Sequence, residues 1–234
     1  MIQTSTSFSP FSLLTSIARP SAIGAVICAL AMSIAFANAQ EPSMQSQPTT
    51  IEVRDVGEIE AGEHTLMVPE NRNNPGSREI ALRFVVLPAV QPSGQSPVVY
   101  LAGGPGGSAT GTAQSRRWPL FDALRQDRDV ILLDQRGTGR SETPPVCTSS
   151  VGWNETDVAD RDTFVQKQAT AFAECTAFWR SEGVDLGGYT TEQSAADIAA
   201  VSDALDEKLS LLGISYGTHL ALAAIKYHPE ALDR

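Results

Sequence analysis

Histidine and cysteine are both scarce in this chain, which has three of each among its 234 residues. The histidines have no partner four residues away and the cysteines have no C-x₂-C spacing, so the patterns that bind zinc are missing. No block of lysine or arginine occurs either, and the formal net charge is −10. An acidic surface repels phosphate backbones, which excludes nucleic acid as a partner. We predict no metal and no organic cofactor.

The first 39 residues have the three-part layout of a secretory signal. Arg19 precedes a run of apolar and small residues at 21–36, and Ala37-Asn38-Ala39 gives an A-x-A cleavage pattern. The apolar run is shorter than the ~20 residues of a membrane span. We therefore expect cleavage after Ala39 and export to the periplasm or the extracellular space. The alternative is an uncleaved anchor, the only route by which we expect membrane contact.

The rest of the chain alternates between strand and helix patterns. Residues 40–50 read as a polar leader, and strand patterns follow at 51–56, 64–68 and 79–87, the last two separated by a turn cluster at 71–76. Short apolar runs at 98–101, 130–133 and 209–212 are typical of strands buried in a parallel sheet. Helical patterns occupy 118–126, 192–205 and 216–227. Residues 51–234 are therefore predicted to form part of a doubly wound α/β domain with a mostly parallel sheet and an N-terminal antiparallel hairpin.

Residues 143–188 interrupt this alternation and are predicted to be a helical insertion. A long helical pattern at 161–180 carries an apolar stripe that we expect to pack beside the sheet. Cys147 and Cys175 lie in this segment, and an even pair in an exported chain predicts a disulfide. Two buried free thiols are the alternative.

The most informative motif is Gly213-Ile214-Ser215-Tyr216-Gly217, a G-x-S-x-G between a strand pattern and a helix pattern. That context is typical of a nucleophile elbow, in which a sharp turn lifts the serine hydroxyl above the sheet. Small neighbours allow the turn, hence Gly213 and Gly217. We predict Ser215 as the nucleophile. The backbone N–H of Tyr216 is predicted to donate to the oxyanion, beside the positive end of the helix.

A second motif, Gly103-Gly104-Pro105-Gly106-Gly107, directly follows the strand pattern at 98–101. An α/β-hydrolase needs a further oxyanion N–H from this loop, and glycines let the backbone approach the reacting centre. The alternatives are a plain glycine turn or a phosphate-binding loop. The phosphate-binding reading is weakened because no Lys-Ser/Thr follows and the G-x-G-x-x-G spacing is absent.

A third motif, 134–141, reads Asp-Gln-Arg-Gly-Thr-Gly-Arg-Ser and follows the strand pattern at 130–133. Asp134 comes too early for the acid of a triad, because the chain order in α/β-hydrolases is Ser, acid, His. We interpret Asp134 and Arg136 as structural residues that fix the loops around the active site.

Together the three motifs resemble the proline iminopeptidase and tripeptidyl-aminopeptidase family of α/β-hydrolases, from about residue 64 to the C-terminus. The Asp-Gln-Arg-Gly element is the most discriminating, and the signal and the cysteine-bearing insertion are more similar to the exported tripeptidyl-aminopeptidase branch. The resemblance implies a serine peptidase that releases residues or short peptides from peptide N-termini through an acyl-enzyme on Ser215. It also implies Gly104, with Tyr216, as an oxyanion donor.

The sequence departs from that family after the nucleophile, because only 19 residues follow Ser215. Neither His219 nor His228, nor the early His64, is a credible general base, and no acid can be assigned. We therefore expect a truncated N-terminal part that is inactive alone. Alternatives are an esterase or lipase with a small ester as substrate, and a non-catalytic remnant.

Overall fold

The computed structural model describes residues 44–233, and the predicted signal segment lies outside them. Six strands form one sheet in the order β1-β2-β3-β5-β4-β6. Antiparallel pairing joins β1, β2, β3 and β5, whereas β4 pairs in parallel with both β5 and β6. The strands are β1 Met44–Val53, β2 Gly57–Pro69, β3 Glu79–Leu87, β4 Val98–Leu101, β5 Val130–Asp134 and β6 Ser210–Gly213.

Helices connect the strands, and two short ones, Ala109–Ala113 and Glu155–Ala159, were not predicted from the sequence. The helices are α1 Ala109–Ala113, α2 Trp118–Leu124, α3 Glu155–Ala159, α4 Arg161–Ser181, α5 Thr191–Leu205 and α6 Tyr216–Tyr227, with 3-10 turns at Leu186–Gly188 and Pro229–Ala231. The Thr190 side chain accepts from the Gln193 N–H and so caps α5. Within residues 44–233 no helix is long and apolar enough to cross a membrane.

The two faces of β4 and β5 explain their continuous apolar sequences. Successive side chains of a strand point to opposite faces. Val99 and Leu101 therefore pack with α5 and α6 on one side of the sheet. Tyr100 packs on the other side with α1 and α2, where its ring meets Phe121 edge-on at 4.9 Å. Helices therefore cover both faces of this part of the sheet, as in the predicted doubly wound α/β arrangement, and the described part of the sheet is mixed, since its parallel pairings are confined to β5, β4 and β6.

The polar leader predicted for residues 40–50 is corrected by the structure. Strand β1 begins at Met44 and pairs along its whole length with β2, with Pro48 opposite Gly62. The sequence misled because β1 is an edge strand whose first half is largely exposed, and an edge strand tolerates polar residues and proline.

The insertion at 143–188 is also arranged differently from the prediction. Its long helix α4 has no buried residue, and Phe172 on the predicted apolar stripe is 66% exposed. The stripe that we expected to pack beside the sheet is therefore at most partly covered. A disulfide joins Cys147 to Cys175, the pair indicated by the sequence, with 5.6 Å between the two Cα atoms.

Candidate active site

Ser215 lies at a sharp reversal between β6 and α6. Its φ and ψ are 55° and −120°, and the helix starts at the next residue, Tyr216. A positive φ is strained for a residue with a β-carbon. The side chain is exposed, and among residues 44–233 its hydroxyl has no hydrogen-bond partner. A strand-turn-helix that holds an exposed serine in this backbone conformation has the geometry of a nucleophile elbow.

Both glycines of the elbow are required by close backbone contacts. A β-carbon on Gly213 would lie 2.4 Å from the Gly217 carbonyl oxygen, and one on Gly217 would lie 2.0 Å from the Leu101 carbonyl oxygen. Real β-carbons do not approach other atoms so closely. The elbow therefore packs tightly on itself and on the end of β4, and larger residues at either position would push the serine out of place.

The glycine-rich loop after β4 lies against the serine. A β-carbon on Gly103 would be 2.9 Å from the Ser215 Cβ and 3.5 Å from its Oγ. Gly104 and Gly106 adopt φ values of 120° and 101°, and the Gly104–Pro105 peptide is cis. Gly103, Gly104 and Ser215 also line one open cleft of about 580 Å³. The structure thus brings together the two motifs that the sequence placed 112 residues apart.

Two backbone donors near Ser215 are not used by the fold. Within the part of the chain that the structure describes, the N–H groups of Gly104 and Tyr216 donate no backbone hydrogen bond. Such groups are available to a ligand, although their assignment as oxyanion donors stays a prediction. The Tyr216 phenol has a separate role, because it lies 2.8 Å from the Thr191 hydroxyl and ties α6 to the start of α5.

Asp134 is buried and its carboxylate is used structurally. One oxygen accepts from the Ser108 hydroxyl at 2.9 Å and from the Thr110 N–H at 3.2 Å, and the other accepts from the Arg140 N–H at 2.9 Å. A β-carbon on Gly139 would lie 2.3 Å from this carboxyl group, so the loop closes directly over it. No histidine of residues 44–233 bonds to Asp134, in agreement with its interpretation as a loop anchor.

Arg136 is buried and binds three separate segments. It forms a bidentate pair with Asp197 of α5, at 2.7 and 2.6 Å, and donates to the carbonyl oxygens of Glu70 and Gly188. Arg72 also reaches Asp197, at 2.8 Å. This network joins the end of β2, the insertion and α5. The sequence analysis missed Asp197, although a charged residue beside the apolar positions of an amphipathic helix was a usable signal.

The three histidines lie on β2, on α6 and at the C-terminal end of α6. His64 is on β2, four strand positions from β6, which is about 19 Å at ~4.8 Å per strand. Its ring stacks on Phe84, and burial lowers its pKa. His219 lies beside Tyr216 on α6, and His228 faces Glu230 at 3.5 Å. Among residues 44–233, no hydrogen bond links an imidazole to Ser215, and no cluster of His, Cys, Asp or Glu could hold a metal ion.

The family model of the alpha/beta hydrolase fold matches residues 96–234, and the chain belongs to this family. It is 33% identical, over 60% of its length, to the tripeptidyl aminopeptidase of Streptomyces coelicolor, and 26% identical, over 65%, to YuaR of Escherichia coli K12. It spans 27% and 29% of those two proteins, about a quarter of their length. The first similarity confirms the resemblance to α/β-hydrolases of the aminopeptidase type.

Among solved structures, the fold is similar to that of a probable hydrolytic enzyme from Pseudomonas aeruginosa PAO1. The TM-score is 0.45 and the identity 16%, and the match covers 74% of this chain and 39% of that one.

Proposed function

We propose that the protein is a serine hydrolase that releases residues or short peptides from peptide N-termini. The observation that carries the proposal is the contact between Gly103 and Ser215, which sets an exposed hydroxyl on a strained turn against a loop with an unused N–H. The resemblance of three motifs to the tripeptidyl-aminopeptidase family and the similarity to a protein of that name favour peptides over small esters.

In the proposed reaction the Ser215 Oγ attacks the scissile carbonyl carbon and the carbonyl oxygen becomes an oxyanion. The N–H groups of Gly104 and Tyr216 donate to that oxyanion, where the loss of a single donor typically slows kcat 10²- to 10³-fold. The positive end of α6 adds favourable potential at the same place. The tetrahedral intermediate collapses to an acyl-enzyme as the amine leaves with a proton, and water then releases the acyl group.

A general base must take the proton from Ser215, and we assign none of the three histidines to that role. Losing the base of a serine triad lowers kcat by ~10⁶-fold. We therefore expect residues 1–234 alone to be nearly inactive, and the protein expressed from its complete gene is the proper material for assays. We also propose export. The Cys147–Cys175 disulfide supports an oxidising compartment.

The test is labelling with a fluorophosphonate, which reacts with activated serines. The protein expressed from its complete gene is compared with its Ser215→Ala and Ser150→Ala variants. Ser150 is a matched control because its exposed hydroxyl bonds to Glu174 in the insertion. We expect labelling of the wild type and Ser150→Ala but not of Ser215→Ala. Equal labelling of Ser215→Ala, or no labelling of any of the three, would contradict the proposal.

Substrate preference is tested separately with the same protein. Tripeptidyl and aminoacyl naphthylamides with a free amine are compared with N-acetylated versions and with short p-nitrophenyl esters. We expect kcat/KM to fall strongly on acetylation. A large preference for the esters, or indifference to acetylation, would instead favour an esterase.

A further inference from the structure

The residue after Asp134, Gln135, makes a buried side-chain contact with the residue that precedes the glycine loop. The side-chain amide of Gln135 donates to the Ala102 carbonyl oxygen at 3.1 Å, and both residues are buried. Ala102 immediately precedes the glycine loop. Its carbonyl oxygen also lies 3.1 Å from the position that a β-carbon on Gly217 would occupy, so Gln135 acts where the loop meets the elbow helix.

The contact sets the direction of the loop's first peptide. A peptide unit is planar and trans, so its N–H points away from its C=O. Gln135 holds the Ala102 C=O and thereby orients the Gly103 N–H. The following unit is fixed in the same way, because the Gly103 C=O accepts from the Gly107 N–H at 3.0 Å, and this orients the Gly104 N–H. Two consecutive peptides beside Ser215 are therefore fixed through their carbonyl oxygens.

The far end of the loop is held from the same turn after β5. Asp134 binds the Ser108 hydroxyl and the Thr110 N–H, and Ser108 directly follows Gly107. Adjacent residues thus hold the chain on both sides of the glycine loop at 103–107. Gln135 binds residue 102, and Asp134 binds residues 108 and 110. In the part of the chain that the structure describes, no side chain bonds to residues 103–107 themselves, so these two attachments are the side-chain hydrogen bonds that hold the ends of the loop.

We propose that Gln135 is a positioning residue for hydrolysis, holding the Ala102 carbonyl so that the glycine loop presents its N–H groups to the oxyanion. Gln135 does not contact Ser215 and acts through the loop. The inference rests on the proposed function, since an oxyanion must form for the orientation of these N–H groups to affect the rate. A small displacement of a catalytic group typically slows a reaction by about 10²-fold.

The test compares kcat and KM of the protein from its complete gene with those of Gln135→Met and Gln135→Glu, on a naphthylamide or ester that the wild type cleaves. Active sites are titrated with the fluorophosphonate so that kcat refers to folded protein. Gln126→Met is the control, because that exposed side chain also donates to a backbone carbonyl, of Asp122, far from the loop. We expect Gln135→Met to lower kcat by roughly 10²-fold with little change in KM, and Gln126→Met to leave both unchanged.

Gln135→Glu adds a readout that a purely structural role would not move. A protonated carboxyl can donate to the Ala102 carbonyl, whereas a carboxylate cannot. Burial opposes the charged form and raises the carboxyl pKa. The ratio of the variant's kcat to that of the wild type should therefore rise as the pH falls. If Gln135→Met does not fold, this pH profile of Gln135→Glu still tests the positioning role.

Failure of the inference is distinguishable from failure of the proposed function. If the wild type shows no Ser215-dependent labelling or turnover, the proposed function is wrong. If the wild type is active and titrated Gln135→Met keeps its kcat, or the Gln135→Glu ratio is flat with pH, the positioning role is wrong. A lower melting temperature with an unchanged kcat per titrated site would likewise assign Gln135 to stability alone.

Discussion

The Cα of Gly217 lies directly against the carbonyl oxygen of Leu101, and a β-carbon there would come within 2.0 Å of that oxygen. This contact joins the first turn of α6 to the last residue of β4. Because the glycine loop begins two residues after Leu101, the contact also determines how closely that loop approaches Ser215. The serine motif at 213–217 and the glycine loop at 103–107 therefore come together through direct backbone contact, without an intervening side chain.

Replacing Gly217 with alanine should therefore disturb both stability and the site. We expect Gly217→Ala to lower the free energy of unfolding by about 1–3 kcal/mol, since the added methyl group must displace backbone rather than a flexible side chain. Urea unfolding measures the change. Gly152→Ala is the control, because a β-carbon on Gly152 meets no atom within 4 Å. Equal effects of the two substitutions would show that the contact is not tight.

Breaking the buried ion pair should be more damaging. In Asp197→Ala the Arg136 guanidinium, 1% exposed as a side chain, loses its bidentate partner. Removing one member of a buried pair typically costs 3–5 kcal/mol because an uncompensated charge remains. Urea unfolding of Asp197→Ala, Arg136→Met and the double variant forms a cycle in which we expect strong non-additivity. Arg161→Gln, in an exposed pair with Asp162, should have no measurable effect.

Protonation of His64 should make the fold sensitive to mild acid. Burial lowers the pKa of its imidazole below the ordinary 6.5, and its ring stacks on Phe84 at 4.9 Å. At a pH between the pKa of the folded state and the unfolded value of about 6.5, the unfolded state binds the proton and the folded state does not. The contribution of His64 to the free energy of unfolding is therefore fully present above about pH 6.5 and is lost as the pH drops toward the folded-state pKa. The difference in unfolding free energy between pH 8 and pH 5 should shrink in His64→Gln.

The control for this measurement is His219→Gln, because His219 is exposed on α6. We expect that variant to keep the wild-type difference between the two pH values. A His64→Gln variant with an undiminished difference would assign the acid sensitivity to other groups.

Reduction of the Cys147–Cys175 disulfide should loosen the insertion. The bond closes a loop of 28 residues, and the chain-entropy model gives a stabilisation of about 3–4 kcal/mol for that length. The effect should be large because α4 buries no residue in the core. We expect a reductant to lower the melting temperature of the wild type but not of Cys147→Ser/Cys175→Ser, whose melting temperature should already be low. Equal melting temperatures of the reduced and the oxidised wild type would contradict a stabilising role of the disulfide.

Local patterns predicted the elements next to the candidate site well. The helix at 216–227 has the bounds expected from the sequence, and the strand at 98–101 does too, because buried apolar runs and the following proline or glycine mark them clearly. The elbow was predictable because Gly213 and Gly217 are required by backbone contacts that few other residues would satisfy. The motif signals and the packing therefore point to the same residues.

Elements whose side chains face solvent were less predictable. Residues Met44–Thr50 belong to β1 despite a polar sequence, because the backbone pairing with β2 does not require apolar side chains. The contacts of Gln135 and Asp197 link segments far apart in the chain, and no periodicity reports such pairs. The apolar stripe of α4 led to a wrong prediction of packing. Helical spacing shows that a helix has an apolar face, but it does not show whether other residues cover that face.

The backbone of Ser215 has a consequence for how this sequence evolves. A non-glycine residue at φ 55° and ψ −120° stores strain of about 1–3 kcal/mol, which glycine would largely relieve. A lineage selected for thermal robustness alone would thus drift toward glycine at this position and gain stability by losing its hydroxyl. If close homologues keep serine at this position, selection has favoured the hydroxyl over the stability that glycine would add. A sequence alignment would show this without an activity assay.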